Sequence, residues 1–316
     1  MPTETDPMLA QLAQLQSLPT PFEGLFDGRE RLFWLYLLGS ALIALVLMLA
    51  AGNWPSRARI RAYWLSRDAR LDALYFLVAW GLRTALIIPL VLSVQTVAVW
   101  VLHALNATFE PPFLAWAYRD IVLAYTLALF LLSDFTRYWL HRLMHRSRWL
   151  WPFHRVHHAA KVLTPLLVYR IHPLESLLFA LRHAAVAGAV TGVFIFLFGA
   201  RLDLFTIFGE NLFIVALFAF TANLRHSHVR LSYGRWLEHI LVSPAQHQIH
   251  HDRRHLNTNF GSCLALWDWM FGTLKLPLET QGAPDYGIGP RGTRYSSVSA
   301  LLLEPFRDLG RLIRRS

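Results

Sequence analysis

A single cysteine, Cys263, stands in a chain of 316 residues. It excludes an internal disulfide and any thiolate cluster around a metal. Charge is scarce as well: 16% of residues are Asp, Glu, Lys or Arg, against about 25% in a soluble domain. Acidic side chains are the scarcer sign, 20 against 30 basic ones, which leaves a net charge of +10. A glycine-rich phosphate loop is missing. The His-Glu-x-x-His pair of zinc hydrolases is missing too.

Long apolar runs fill the space that charge leaves. Phe33 to Ala51 is uncharged and close to the roughly 20 residues that cross a bilayer. Thr84 to Ala104 is a second run, with a kink expected at Pro89, and Ile121 to Trp139 a third. Ala184 to Ala200 and Leu204 to Ala222 follow, separated by little more than Arg201 and Asp203, and read as a hairpin. About 32 mostly polar residues precede the first run with no cleavage site after a short apolar core, so it reads as a retained anchor. Arg57, Arg59, Arg61, Arg67 and Arg70 follow it. The positive-inside rule places that loop in the cytoplasm, and anionic lipid head groups suit these arginines better than nucleic acid, for which no motif is present.

Histidine supplies the chemistry. Fourteen of the 15 histidines fall between His141 and His255. Three clusters stand out: His141 with His145, then His154, His157 and His158, then His247, His250 and His251. Residues three or four apart share a helix face, so each cluster aims several imidazoles at one place. Neutral imidazole binds zinc, copper, iron and nickel, and eight such rings suffice for more than one ion. Counting spans inward from the arginine loop brings all three clusters to the cytoplasmic side. His226, at the end of the fifth run, emerges there as a ninth candidate.

Other residues carry secondary expectations. Asp134, two turns before His141, and Asp268 are candidates to accept a ring N–H from a ligating histidine. His172 reads as a structural or substrate-contact residue, with ligation also open; His228 and His255 are further possible ligands, the latter if its helix continues past His251. Glu210 and Asn211 interrupt the fifth run, as substrate contacts or at a bend. Pro152 should end one helix and start the next. From Ser297 to Arg315 the apolar spacing predicts a basic amphipathic helix, on a membrane surface or packed on the catalytic domain.

From Asp134 to Thr273 the chain resembles the fatty acid hydroxylase/sterol desaturase superfamily of integral membrane di-metal oxygenases. The matching pieces are D-F-T-R-Y-W-L-H-R-L-M-H, H-R-V-H-H, R-I-H-P-L-E, R-H-S-H, P-A-Q-H-Q-I-H-H, N-F-G and W-D-W-M-F-G-T. The resemblance implies two iron ions held by His141, His145, His154, His157, His158, His226, His247, His250 and His251, with zinc as a substitute in purified protein. It implies dioxygen, and electrons from a small haem protein, ferredoxin or reductase. The implied reaction is hydroxylation or desaturation of a lipid or sterol-like substrate. The chain departs from the pattern at His228, where many relatives have asparagine, and at Ala222 and Asn223, where some have a further histidine.

The expected fold is all-α: a multi-pass transmembrane bundle under a cytoplasmic, histidine-rich helical cap. Its parts are a polar segment 1–32, spans in 33–133, a di-metal domain 134–276 with a hairpin near 174–222, and a tail 277–316. The alternatives from other classes are a histidine-rich membrane metal-binding or transport protein and a zinc-dependent hydrolase.

Overall fold

The computed structural model describes residues 20–52, 54–87, 93–200, 202–207 and 210–314. Most of the polar N-terminal segment, the expected kink at Pro89, Arg201 and Arg315 lie outside the described residues. Among those described are eleven α-helices. They are α1 (Trp34–Ala50), α2 (Arg57–Trp64), α3 (Arg67–Leu82), α4 (Val94–Thr108), α5 (Tyr118–Arg146) and α6 (Trp151–His158). After these come α7 (Pro173–Phe198), α8 (Leu212–Phe218), α9 (Pro244–His251), α10 (Leu266–Met270) and α11 (Val298–Ile313). The only strands described, β1 (Thr206–Ile207) and β2 (Glu210–Asn211), pair antiparallel over two residues each.

Two helices are long and apolar enough to cross a membrane, α5 with 29 residues and α7 with 26. At 1.5 Å per residue they reach about 44 and 39 Å, beyond a hydrocarbon core of roughly 30 Å. Helix α1 is apolar but has only 17 residues, about 26 Å. The second expected span becomes a π-helical turn at Arg83–Ile87 and, after residues that are not described, α4.

The fifth expected span is not a helix. Among the described residues from Leu204 to Ala222, only the seven of α8 are α-helical, about 10 Å of rise. The reason lies in Asn211, whose side chain accepts the N–H of Phe213 at 3.0 Å and donates to Thr126 O at 3.1 Å. It caps α8, which therefore begins at Leu212.

Helices α4 and α7 make the most extensive helix–helix contact. Gly188 and Gly192, one turn apart on α7, face it: a Cβ on Gly192 would lie 2.6 Å from Ala98 O, and one on Gly188 2.8 Å from Val94 O. Small residues at this spacing let two backbones touch. Below them, Leu71 and Tyr75 of α3 join Val156 and Ala159, Tyr295 and Leu301 of α11 in one buried cluster. The amphipathic α11 is therefore packed on the histidine-bearing part, with Arg155 and Asp308 paired at 2.5 Å. Its Leu303 and Phe306 still face outward.

Candidate metal centre

Local sequence sets each histidine in place. His141 and His145 occupy the last two turns of α5, four residues apart. The chain then breaks at Ser147, and α6 starts with Pro152 in its first turn, free of the need for an N–H, carrying His154, His157 and His158 back over α5. Helix α9 opens with a capping box: Ser243 Oγ accepts from Gln246 N, and Gln246 Oε1 accepts from Ser243 N. That fixes the direction in which His247, His250 and His251 leave it. His226 ends a short 3₁₀ helix, Ala222–His226. The α9 residue Gln248 clamps this segment, its Nε2 donating to Leu224 O at 3.0 Å and Val229 O at 2.9 Å.

The nine histidines form two groups. His141, His145, His154, His158 and His250 make one; His157, His226, His247 and His251 make the other, and within each the potential ligand atoms lie within 4.8 Å of one another. The groups touch, with the rings of His158 and His251 stacked at 4.5 Å between centroids. In the first, the Nε2 atoms of His141 and His158 lie 3.1 and 3.2 Å from Nε2 of His154. In the second, Nε2 of His226 lies 2.9 Å from that of His247 and 3.1 Å from that of His251.

Those nitrogens cannot all be hydrogen-bonded to one another. His141 Nδ1–H donates to Phe260 O, His154 Nδ1–H to Glu175 Oε1 and His250 Nδ1–H to Thr258 O, each at 2.8 Å. A neutral ring that donates from Nδ1 has only a lone pair on Nε2. Burial, followed by the neighbouring charges, pushes His157, His158, His247 and His251 well below the ordinary imidazole range. Burial brings His250 down to about 3. Those five rings are thus neutral near pH 7, and the ring nitrogens of each group converge within 4.8 Å. His145 Nε2 and His250 Nε2 are buried without any partner, a costly state unless something accepts those lone pairs. Nitrogens about 2.1 Å from one ion, at right angles to each other, would stand about 3.0 Å apart, close to the observed separations. The donor set and its spacing fit a metal ion in each group.

The two acidic candidates do not reach a histidine. Asp134 accepts from Cys263 N, Leu264 N and Trp267 Nε1 at 2.8–2.9 Å. Asp268 accepts from Phe260 N, Gly261 N and Thr273 Oγ1 at 2.7–2.8 Å. Two turns separate Asp134 from His141, and although the face is shared, about 10 Å of helix lies between them. Both carboxylates shape the loop 259–264 instead, and that loop supplies Phe260 O to His141. The carboxylate that does touch a ring, Glu175, sits in the first turn of α7 and is buried with His154. Sequence spacing gave no pointer to it, since an acid in a first helical turn is common and His154 lies 21 residues earlier.

The remaining histidines fall outside both groups. His172 caps α7, its Nδ1 accepting from Leu174 N and its Nε2–H donating to Leu302 O, each at 3.1 Å. His228 is exposed and edges against the Tyr63 ring. His255 is not on α9, which stops at His251 because Asp252 turns extended. A cavity of about 650 Å³ opens onto His141, His154, His157, His226 and His247. Phe76, Trp80, Ile87 and Phe179 give it apolar walls, and Arg31, Arg137 and Arg225 border it.

Part of this chain is similar to known proteins. Residues 126–273 match the fatty acid hydroxylase family. An ornithine lipid hydroxylase of Rhizobium tropici is 31% identical over 182 residues, 57% of this chain and 50% of that protein. A Delta(7)-sterol 5(6)-desaturase of Aspergillus fumigatus is 26% identical over 157 residues, 46% of each. The alkylglycerol monooxygenase of Homo sapiens is 28% identical over 155 residues, 48% of this chain and 30% of that protein. The chain thus spans half or less of the length of these relatives. No solved structure matches it.

Proposed function

We propose that this chain, whose residues 126–273 match the fatty acid hydroxylase family, is a membrane-bound oxygenase acting on a lipid, with a di-iron centre held by the nine histidines. The observation that carries the reading is the sorting of nine imidazoles into two buried groups with converging lone pairs. In the five-histidine group the ligands are His141, His145, His154, His158 and His250; in the other they are His157, His226, His247 and His251. Bound iron would supply the activation of dioxygen and the oxidation of an unactivated C–H bond.

The chain's own residues prepare that chemistry. Phe260 O, Thr258 O and Glu175 hold three rings by their Nδ1–H groups and fix the tautomer that leaves Nε2 free for metal. The apolar wall of Phe76, Trp80, Ile87 and Phe179 excludes water and receives hydrocarbon. Helices α5 and α7 embed the domain in the bilayer, and the histidines sit at the α5 end that carries Arg142, Arg146 and Arg148. We assign that end to the cytoplasmic face, where exposed Arg146 and Arg148 offer a cationic docking point for an acidic electron donor. Arg57, Arg59, Arg61, Arg67 and Arg70 are exposed as well and suit anionic head groups.

A metal transporter is disfavoured by the closed arrangement: its ligands would line a path through several spans, whereas these gather at one end of α5. Hydroxylation is favoured over desaturation by the higher identity and coverage of the ornithine lipid hydroxylase. The test is expression of the full chain with a reductase system and mass spectrometry of host lipids. A lipid gaining one oxygen is the expected result, and a loss of two hydrogens would instead mark a desaturase. Purified chain with no bound iron, and unchanged lipids, would refute the reading.

A further inference from the structure

The cavity beside the histidines is not a purely hydrocarbon chamber: four arginines, Arg31, Arg83, Arg137 and Arg225, and four acids line it. Arg31, just before α1, and Arg137, one turn before His141 on α5, both line it. Neither forms an ion pair with any described residue. Arg137 lies over the Phe179 ring, its guanidinium carbon 4.9 Å from the centroid. Arg31 has no side-chain hydrogen bond among the described residues. Nearby Arg225 is anchored, donating to Ser262 O at 2.5 Å and Val242 O at 3.4 Å. Burial, then Arg225 and Arg137, push the Arg31 guanidinium down to about 10.

None of the four acids of the same cavity pairs with Arg31 or Arg137. Glu175 is engaged by His154, Asp27 by Arg29 at 2.7 Å, and Glu23 accepts from Thr20 N at 2.8 Å. Glu30 borders the cavity without pairing with either arginine. Guanidinium groups enclosed without a counter-ion are costly, and their planar fork matches a carboxylate or phosphate. Neutral histidines around metal ions would add positive charge, not remove it.

We propose that the substrate is an acidic amphiphile, its carboxylate or phosphate held by Arg31 and Arg137 and its hydrocarbon lying along Phe76, Trp80 and Ile87. This rests on the lipid oxygenase reading and narrows the lipid to those with an anionic head. The site selects by charge at the head and by hydrophobicity along the chain. A cavity of about 650 Å³ is within the usual range for a ligand of that size.

The test uses the purified full chain and measures binding of palmitate, hexadecanol, dodecyl phosphate and inorganic phosphate. Palmitate and dodecyl phosphate should bind at least about ten-fold more tightly than hexadecanol, the loss expected when a charged hydrogen bond is removed. Arg31→Gln and Arg137→Gln should each weaken palmitate about ten-fold and leave hexadecanol unchanged, with Arg31→Lys retaining part of the preference. Equal binding of hexadecanol and palmitate, or variants indifferent to palmitate, would overturn the proposal. So would inorganic phosphate binding as tightly as dodecyl phosphate, which would mark a site for a free anion. Should a variant fail to fold, the palmitate and hexadecanol comparison on the unaltered chain still decides. Iron content, measured on the same samples, separates the two readings. An iron-free chain that prefers palmitate would defeat the oxygenase and keep the acidic ligand; an iron-loaded lipid oxidase blind to head-group charge would do the reverse.

Discussion

His154 donates its Nδ1–H to Glu175 Oε1 at 2.8 Å and turns its Nε2 to within 3.1 Å of His141 Nε2. Glu175 is thus a positioning residue: it fixes which nitrogen of His154 carries the proton and where the lone pair points. Its other oxygen, Oε2, has no hydrogen-bond partner, so the carboxylate is committed to this one ring. Partners of this kind are typically worth 10–100-fold in metal affinity. Glu175→Ala should weaken iron binding by about that factor, and Glu175→Gln, which keeps an acceptor, by less. Competition with a graded chelator measures both. Equal, unaltered affinity in the two variants would remove Glu175 from the site.

Division of the nine rings into five and four makes the two positions separable. His157→Ala deletes one of four ligands in the smaller group and none in the larger. Iron per chain should fall from about two to about one, with loss of lipid oxidation, since a structural or catalytic site of three to four ligands tolerates little loss. Elemental analysis of the purified variant gives the count. Retention of full iron and full activity would rule out His157 as a ligand.

Burial also predicts a pH response of the metal-free chain. His250 is brought down to about 3, and His158, His247 and His251 lie well below 6.5, burial being the first cause in each. Between pH 6.5 and about 3 the unfolded chain therefore takes up protons that the folded cage refuses. By linkage, stability is greatest above pH 6.5 and falls as pH falls through that window. Conversely, metal binding at pH 6 should release few protons, because the folded ligands are already neutral. Denaturation midpoints at pH 7 and pH 5 test the first part and calorimetry in buffers of different ionisation enthalpy the second. A midpoint independent of pH over that range would show that the cage rings are solvated.

What the sequence disclosed follows from how local each feature is. The three histidine clusters were legible because their spacing is that of a single helical turn, and α6 begins around Pro152 as expected. His226 was legible from its place at the end of an apolar run. Glu175 was not, because its partner belongs to another helix and only tertiary folding brings them together. Asp134 was on the expected face and still misassigned, since a shared face says nothing of the rise between two turns. The fifth run was expected to span although Glu210 and Asn211 interrupt it, and at Asn211 a cap begins a short helix. Arg31 and Arg137 were not read as neighbours: positions far apart in the chain border one cavity only once α5 and the segment before α1 meet around it.

The contact between α4 and α7 offers a test that leaves the histidines untouched. On α7, Gly192 places its α-carbon where a Cβ would meet Ala98 O at 2.6 Å and the Val101 Cβ at 2.8 Å. Backbone oxygen cannot move aside as a long side chain can, so a larger residue must push the helices apart and open voids along their length. Gly192→Leu should therefore destabilise by about 1–3 kcal/mol, the cost of overpacking. Gly81 on α3 has nothing within 4 Å of its would-be Cβ, and Gly81→Ala should raise helix stability by up to about 1 kcal/mol. Thermal denaturation in detergent compares the two. Because α7 also carries Glu175, separation of α4 from α7 is expected to loosen the Glu175–His154 bond and lower iron retention along with melting temperature. A Gly192→Leu chain melting at the unaltered temperature would mean that α4 and α7 do not touch as described.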